Sequence, residues 1–135
     1  MSAAQNLAYS AVQVLHNFGA VATVGGSFAA MIAPPEARGR LAWLAFAGWT
    51  TQAVSGPAFG LVSYYFYHRF PDISGIAVAA LMIKILCVAL GFLLVAAYHF
   101  PCASCRERLE NLVWPASTAL AATALTAAAF LRWFS

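Results

Sequence analysis

The sequence predicts an all-α integral membrane protein, an antiparallel bundle of four transmembrane helices. Of its 135 residues, 63% are hydrophobic and 8% are charged, whereas about a quarter of the residues in a soluble domain are charged. The apolar residues form four long stretches, and a helix of roughly 20 apolar residues is enough to cross a bilayer. We therefore expect a single transmembrane domain over residues 1–135, surrounded by lipid.

The four helices are predicted in order from these stretches and from the charged segments that separate them. They cover about residues 7–33, 41–67, 73–100 and 112–131. The connecting segments read PPEARGR, HRFPD and PCASCRERLEN, and they hold all four acidic residues of the chain. Prolines stand at their edges because proline removes a backbone donor and restricts the residue before it.

Small residues predict how the helices pack, because close approach of helix backbones replaces the hydrophobic drive inside a membrane. One face of the first helix carries small and polar residues spaced by three or four: His16, Gly19, Ala20, Thr23, Gly26, Ser27 and Ala30. In the second helix, Gly56 and Gly60 form a GxxxG pair beside Pro57. We expect both features to lie at helix contacts.

Lys84 is the one charged residue inside the apolar run of the third helix. It shares a helical face with Ala77, Ala80, Cys87 and Gly91, so we expect it to face the bundle interior. Placing a lysine at the middle of the membrane costs at least about 2.5 kcal/mol of insertion free energy. We therefore expect Lys84 to have a hydrogen-bonding partner. The spans contain no Asp or Glu. The neutral acceptors that they offer are Gln13, Asn17, Thr23, Gln52 and a carbonyl freed by Pro57. The alternatives are a group from outside the chain, or a neutral or snorkelled lysine without a role.

The histidines are candidate cofactor ligands. Two imidazoles on neighbouring helices commonly hold haem b in a membrane bundle. His16 and His68 lie on the same side of the membrane and are the candidate pair, together with Lys84 as a further cofactor contact. The alternative interpretation is a hydrogen-bonded His16 and an interfacial His68 without a cofactor.

The third connecting segment offers a candidate metal site. His16, in the first helix, is a separate candidate metal ligand. Its sequence HFPCASC contains His99, Cys102 and Cys105. A CxxC pair with a nearby histidine is able to hold a metal such as copper, form a disulfide or stay reduced without any role. A closed zinc site requires four ligands, and the sequence has no second CxxC pair to complete one.

A resemblance is carried by the stretch LHNFGAVATVGGSFAAM in the first helix. It resembles the opening helix of the copper-resistance D-like membrane domains and their b-type cytochrome relatives, with His16 followed by the paired glycines Gly25 and Gly26. The resemblance implies a four-helix module for electron transfer or copper handling in a bacterial cytoplasmic (inner) membrane.

The first and third loops carry four arginines against two on the opposite side, so the positive-inside rule predicts that both termini are periplasmic.

The sequence therefore favours a small accessory subunit of a membrane-bound oxidoreductase or electron-transfer complex. We expect it to contact or ligate haem b or a quinone, to bind larger membrane subunits, and to have no enzymatic activity of its own. The alternatives are a copper-handling protein and a structural or assembly subunit without a cofactor. No catalytic triad, phosphate-binding loop or nucleic-acid module is present. A proton-coupled multidrug exporter is disfavoured because it needs a carboxylate within the membrane.

Overall fold

The computed structural model describes residues 2–70, 72–100 and 106–134 and confirms the all-α bundle. Its helices are α1 (Ala3–Ile32), α2 (Pro35–Tyr67), α3 (Ile76–His99) and α4 (Arg106–Phe134). Within the described ranges no strand is present.

Three of the helices are long and apolar enough to cross a membrane: α1, α3 and the Leu109–Phe134 portion of α4. At 33 residues α2 is the longest helix, but it is less apolar because it carries charges near its start and several hydroxyl and amide side chains further along. It packs antiparallel to α1 over most of its length. Three of the four predicted spans are therefore apolar enough to cross a membrane, and α2 packs beside them in the same bundle.

The helix ends differ from the predicted boundaries at the charged connections. Helix α2 begins at Pro35 and α4 at Arg106, about six residues earlier than predicted in each case. Proline is favoured at the first helical position because its missing N–H would have no intrahelical partner there. The charged segments extend these helices beyond their apolar stretches, where no hydrophobic pattern marks a helix. At the opposite end, α2 stops at His68, whose left-handed backbone (φ 53°) caps the helix.

The helices pack in a square. Helix α1 contacts α2 and α4, and α3 also contacts α2 and α4, so that α1 and α3 are diagonal to each other. The α1–α2 and α3–α4 pairs have the more extensive contacts. A side chain that joins α1 to α3 must therefore cross the bundle interior.

The seam between α1 and α2 is formed by small residues. A Cβ atom at Gly26 would lie 2.8 Å from the backbone nitrogen of Ala45, and one at Gly48 would collide with Thr23. The predicted small-residue face of α1 is thus confirmed, with its glycines, Thr23, Ser27 and Ala30 all buried. The GxxxG prediction for α2 is wrong: a Cβ at Gly56 would meet nothing within 4 Å, and Gly60 is close only to the Phe70 ring. Gly48 is the glycine of α2 that meets α1.

All four helices meet around Trp49, which is fully buried. Its indole Nε1–H donates to Ser117 Oγ of α4 at 2.9 Å, and Ser117 Oγ lies 2.8 Å from Ser27 Oγ of α1. Gly91 of α3 lies against the indole ring, with no room for a Cβ. This layer therefore fixes the relative position of the four helices.

Candidate functional site

The α1–α2 seam continues from its glycines to a polar position. Gly26 lies at Ala45 and Gly19 at Thr51, and the next turn brings His16 against Ser55. Spacings of three and four keep these residues on one face of each helix. His16 therefore follows a run of close glycine contacts, and its longer side chain reaches into the bundle.

Three side chains form what we call the Lys84–His16–Ser55 cluster. Lys84 Nζ lies 3.0 Å from His16 Nε2, and His16 Nδ1 lies 2.7 Å from Ser55 Oγ. The Ser55 hydroxyl donates its proton to the Thr51 carbonyl of its own helix. Since a serine has one proton to donate, its oxygen accepts from His16 Nδ1–H. His16 Nε2 is then the unprotonated nitrogen, and it accepts a hydrogen bond from the Lys84 ammonium.

Two further contacts hold His16 in place. Gln52 Nε2 donates to the His16 backbone carbonyl at 2.7 Å, which ties α2 to α1 one turn from Ser55. The edge of the His16 ring meets Phe59, with ring centroids 5.5 Å apart. Both the backbone and the ring of His16 are therefore oriented by α2, while its Nε2 is directed at α3.

Lys84 faces the bundle interior, as its helical face predicted. Ala77, Ala80, Cys87 and Gly91 on that face are all buried. Its partner differs from the anticipated acceptors, because His16 from the diagonal helix occupies that position. In the described part of the chain, His16 Nε2 is the only hydrogen-bond partner of Lys84. An ammonium has three N–H donors, so two remain for other acceptors.

The structure does not bring His68 to His16. His68 is exposed at the end of α2, where its ring contacts Tyr64 with centroids 6.3 Å apart. It follows Ser55 by thirteen residues, which corresponds to about 20 Å along a helix at 1.5 Å per residue. One iron does not span that distance, so this arrangement does not support haem held by both residues.

His99 ends α3 beside aromatic side chains. Its ring centroid lies 4.1 Å from that of Trp43 and 5.3 Å from that of Phe46. Its Nε2 is buried and has no hydrogen-bond partner among the described residues. Cys102 and Cys105 lie outside the described residues, so the predicted metal site at this loop stays a prediction. The described ranges bring no three His, Cys, Asp or Glu side chains into a metal-binding group.

A second polar contact lies at the end of the bundle where α3 stops at His99. Glu110 Oε1 accepts from Tyr98 Oη at 3.0 Å, and its Oε2 lies 3.9 Å from the Arg38 guanidinium. These residues link α2, α3 and α4 near the first and third connections. Arg38 thus has a carboxylate beside it, whereas Lys84 inside the bundle has a neutral imidazole.

The Lys84–His16–Ser55 cluster is suited to binding an oxygen acceptor. Its imidazole lone pair is directed at Lys84, so a metal at His16 Nε2 would have to displace the ammonium. The remaining ammonium protons suit a carbonyl or carboxylate oxygen, for which charge-assisted hydrogen bonds are strong. No family model, curated protein or solved structure matches this chain.

Proposed function

We propose that this protein is a small accessory subunit of a membrane-bound oxidoreductase complex, in which Lys84 donates to an oxygen of a quinone or a haem propionate. One observation carries the proposal. Lys84 lies in the middle of α3, whereas all four acidic residues of the chain stand in the connections or near the starts of α2 and α4, and among the described residues its ammonium has only His16 as a partner.

Lys84 has N–H donors beyond the one that His16 accepts. Lys84 is half-buried. An ammonium within a membrane bundle is costly unless its protons are accepted, and one neutral imidazole accepts one of them. A quinone carbonyl or a propionate brings the missing oxygen without a further residue from this chain. His16 and Ser55 then act as a support that orients the lysine.

A groove on the α3–α4 side of the bundle bears on the quinone form of this proposal. It has a volume of about 460 Å³ and lies between α3 and α4, with Ala80 and Ile83 in its wall. Ala80 precedes Lys84 by one helical turn, and the rest of the lining is mostly apolar. Small-molecule sites typically combine an apolar wall with a few polar groups. We propose that this groove takes the apolar tail of the quinone, although Lys84 itself is not part of its lining.

If the cofactor is haem, we propose that this chain contacts the haem and does not ligate its iron. His16 Nε2 accepts from Lys84, so the geometry favours a propionate at Lys84 over iron at His16. The ligands of the haem iron would then come from a larger subunit. We further propose that the complex lies in a bacterial cytoplasmic membrane with both termini periplasmic, which reporter fusions at the third loop test.

The proposal is tested by purifying the protein from its native membrane in a mild detergent. We expect larger membrane subunits to copurify, together with a quinone or a haem absorption band. Recovery of this chain alone, as a monomer or bound only to copies of itself, would contradict the accessory role. Metal analysis of the same preparation tests the copper alternative, which predicts stoichiometric copper that is lost in a His16→Ala variant.

A further inference from the structure

Helix α1 carries a stripe of exposed polar residues, here called the amide stripe: Asn6, Ser10, Gln13 and Asn17. Their spacings of four, three and four place them on one helical face. This face is separate from the buried seam that contains Gly19, Thr23 and Gly26. The stripe therefore lies outside this seam, and its residues Ser10 and Gln13 line a shallow groove beside Phe59 of α2.

The deeper half of the amide stripe lies at membrane depth. The α1–α2 register, in which His16 meets Ser55 and Gly26 meets Ala45, sets Gln13 and Asn17 level with Ala58 and Val54. Exposed tyrosines at positions 64, 65 and 67 of α2 mark the interfacial level, where tyrosine is enriched. At 1.5 Å per residue, Gln13 lies about 9 Å and Asn17 about 15 Å inside that level.

The two amides leave hydrogen-bonding groups unused. Gln13 Nε2 donates to Asn17 Oδ1 at 2.7 Å, and this is the one side-chain hydrogen bond that either amide makes among the described residues. Gln13 therefore keeps its carbonyl oxygen, and Asn17 keeps its N–H donors. An acceptor and a donor that face lipid are unfavourable, and polar groups of this kind hold membrane helices together.

We infer that the amide stripe is the interface for a second copy of this chain. The stripe is uncharged and offers both donors and acceptors, so it complements itself. Two copies inserted in the same orientation meet by a two-fold axis along the membrane normal, which repeats every contact twice. Asn17 of one copy then donates to Gln13 or Asn17 of the other, and the reverse contact forms by symmetry. This inference uses different residues from the proposed function and does not depend on it.

The association of the purified full-length chain in lipid vesicles tests the inference. We expect a reversible dimer, measured by energy transfer between labelled copies across a range of protein-to-lipid ratios. The Gln13→Leu/Asn17→Leu variant should weaken it by on the order of tenfold or more, from the loss of the interhelical hydrogen bonds. The conservative Gln13→Asn/Asn17→Gln variant should retain most of the association.

A matched control removes two other exposed hydroxyl groups. Thr123 and Thr126 on α4 donate to the carbonyls of Ala119 and Ala122 of their own helix, so Thr123→Val/Thr126→Val should leave the dimer unchanged. In a variant lacking the native cysteines, Ser10→Cys should cross-link two copies, whereas Leu125→Cys on α4 should not. A wild-type chain that stays monomeric, or a leucine variant that associates as tightly as wild type, would overturn the inference. If the wild-type chain stays monomeric, a different protein would be the occupant of this face.

Discussion

His16 Nε2 of α1 and Lys84 Nζ of α3 lie 3.0 Å apart, across the diagonal of the four-helix square. Helices α1 and α3 are not neighbours, so this hydrogen bond passes through the interior of the bundle. It connects the tight α1–α2 pair to the α3–α4 pair.

Removing His16 should destabilise the bundle because it leaves the Lys84 ammonium without its partner. We expect His16→Leu to lower the free energy of unfolding by about 1.5–3 kcal/mol, the range for hydrogen bonds to charged groups. Unfolding in mixed detergent micelles, followed by circular dichroism, measures the change. Phe18→Leu, at a position that is 72% exposed on the same helix, is the control and should have little effect.

A double-mutant cycle separates the His16–Lys84 contact from a general effect of either substitution. His16→Leu/Lys84→Leu should recover much of the stability lost in the single histidine variant, because no unpaired ammonium remains. The same unfolding assay gives the coupling energy. Additive effects of the two substitutions would show that the two side chains do not interact.

The hydrogen bonds of the cluster predict the tautomer of His16. Ser55 donates to the Thr51 carbonyl and accepts from Nδ1–H, so Nδ1 should be protonated and Nε2 unprotonated. Solid-state ¹⁵N NMR of histidine-labelled protein in bilayers distinguishes the two nitrogens. In Ser55→Ala, where the acceptor is gone, we expect the Nδ1 signal to move. A protonated Nε2 in the wild-type protein would contradict the assigned direction of these bonds.

Gly91 should not tolerate a side chain, because a Cβ atom there would collide with the Trp49 indole. We expect Gly91→Ala to destabilise the protein by about 1–3 kcal/mol, as overpacking does in well-packed interiors. Gly56→Ala is the matched control, since a Cβ there meets nothing within 4 Å and alanine is the better helix former. Equal stabilities of the two variants would argue against the packed layer at Trp49.

Features that depend on one helix alone could be predicted from the sequence. The small-residue face of α1 and the inward direction of Lys84 follow from helical periodicity, and the structure has both. The early starts of α2 and α4 were missed because charged helical turns outside the membrane carry no apolar pattern.

Features that depend on the arrangement of helices were harder to predict. His16 and Lys84 were each singled out, but their pairing requires knowing which helices are diagonal. Choosing Gly48 over Gly56 and Gly60 requires knowing which face of α2 meets α1. Ser55 carries only one sequence signal, its seven-residue separation from Gly48. This separation matches that of His16 from Thr23 on the opposing face.

The most direct test of the central claim asks whether Lys84 donates to a cofactor oxygen. The measurement is a reduced-minus-oxidised infrared difference spectrum of the natively purified complex, recorded for wild type, Lys84→Met and the exposed control Leu86→Met. We predict that the carbonyl band of the quinone, or the carboxylate band of the propionate, shifts in Lys84→Met and stays in place in Leu86→Met. Identical cofactor bands in all three proteins, or a complex without haem or quinone, would contradict the account.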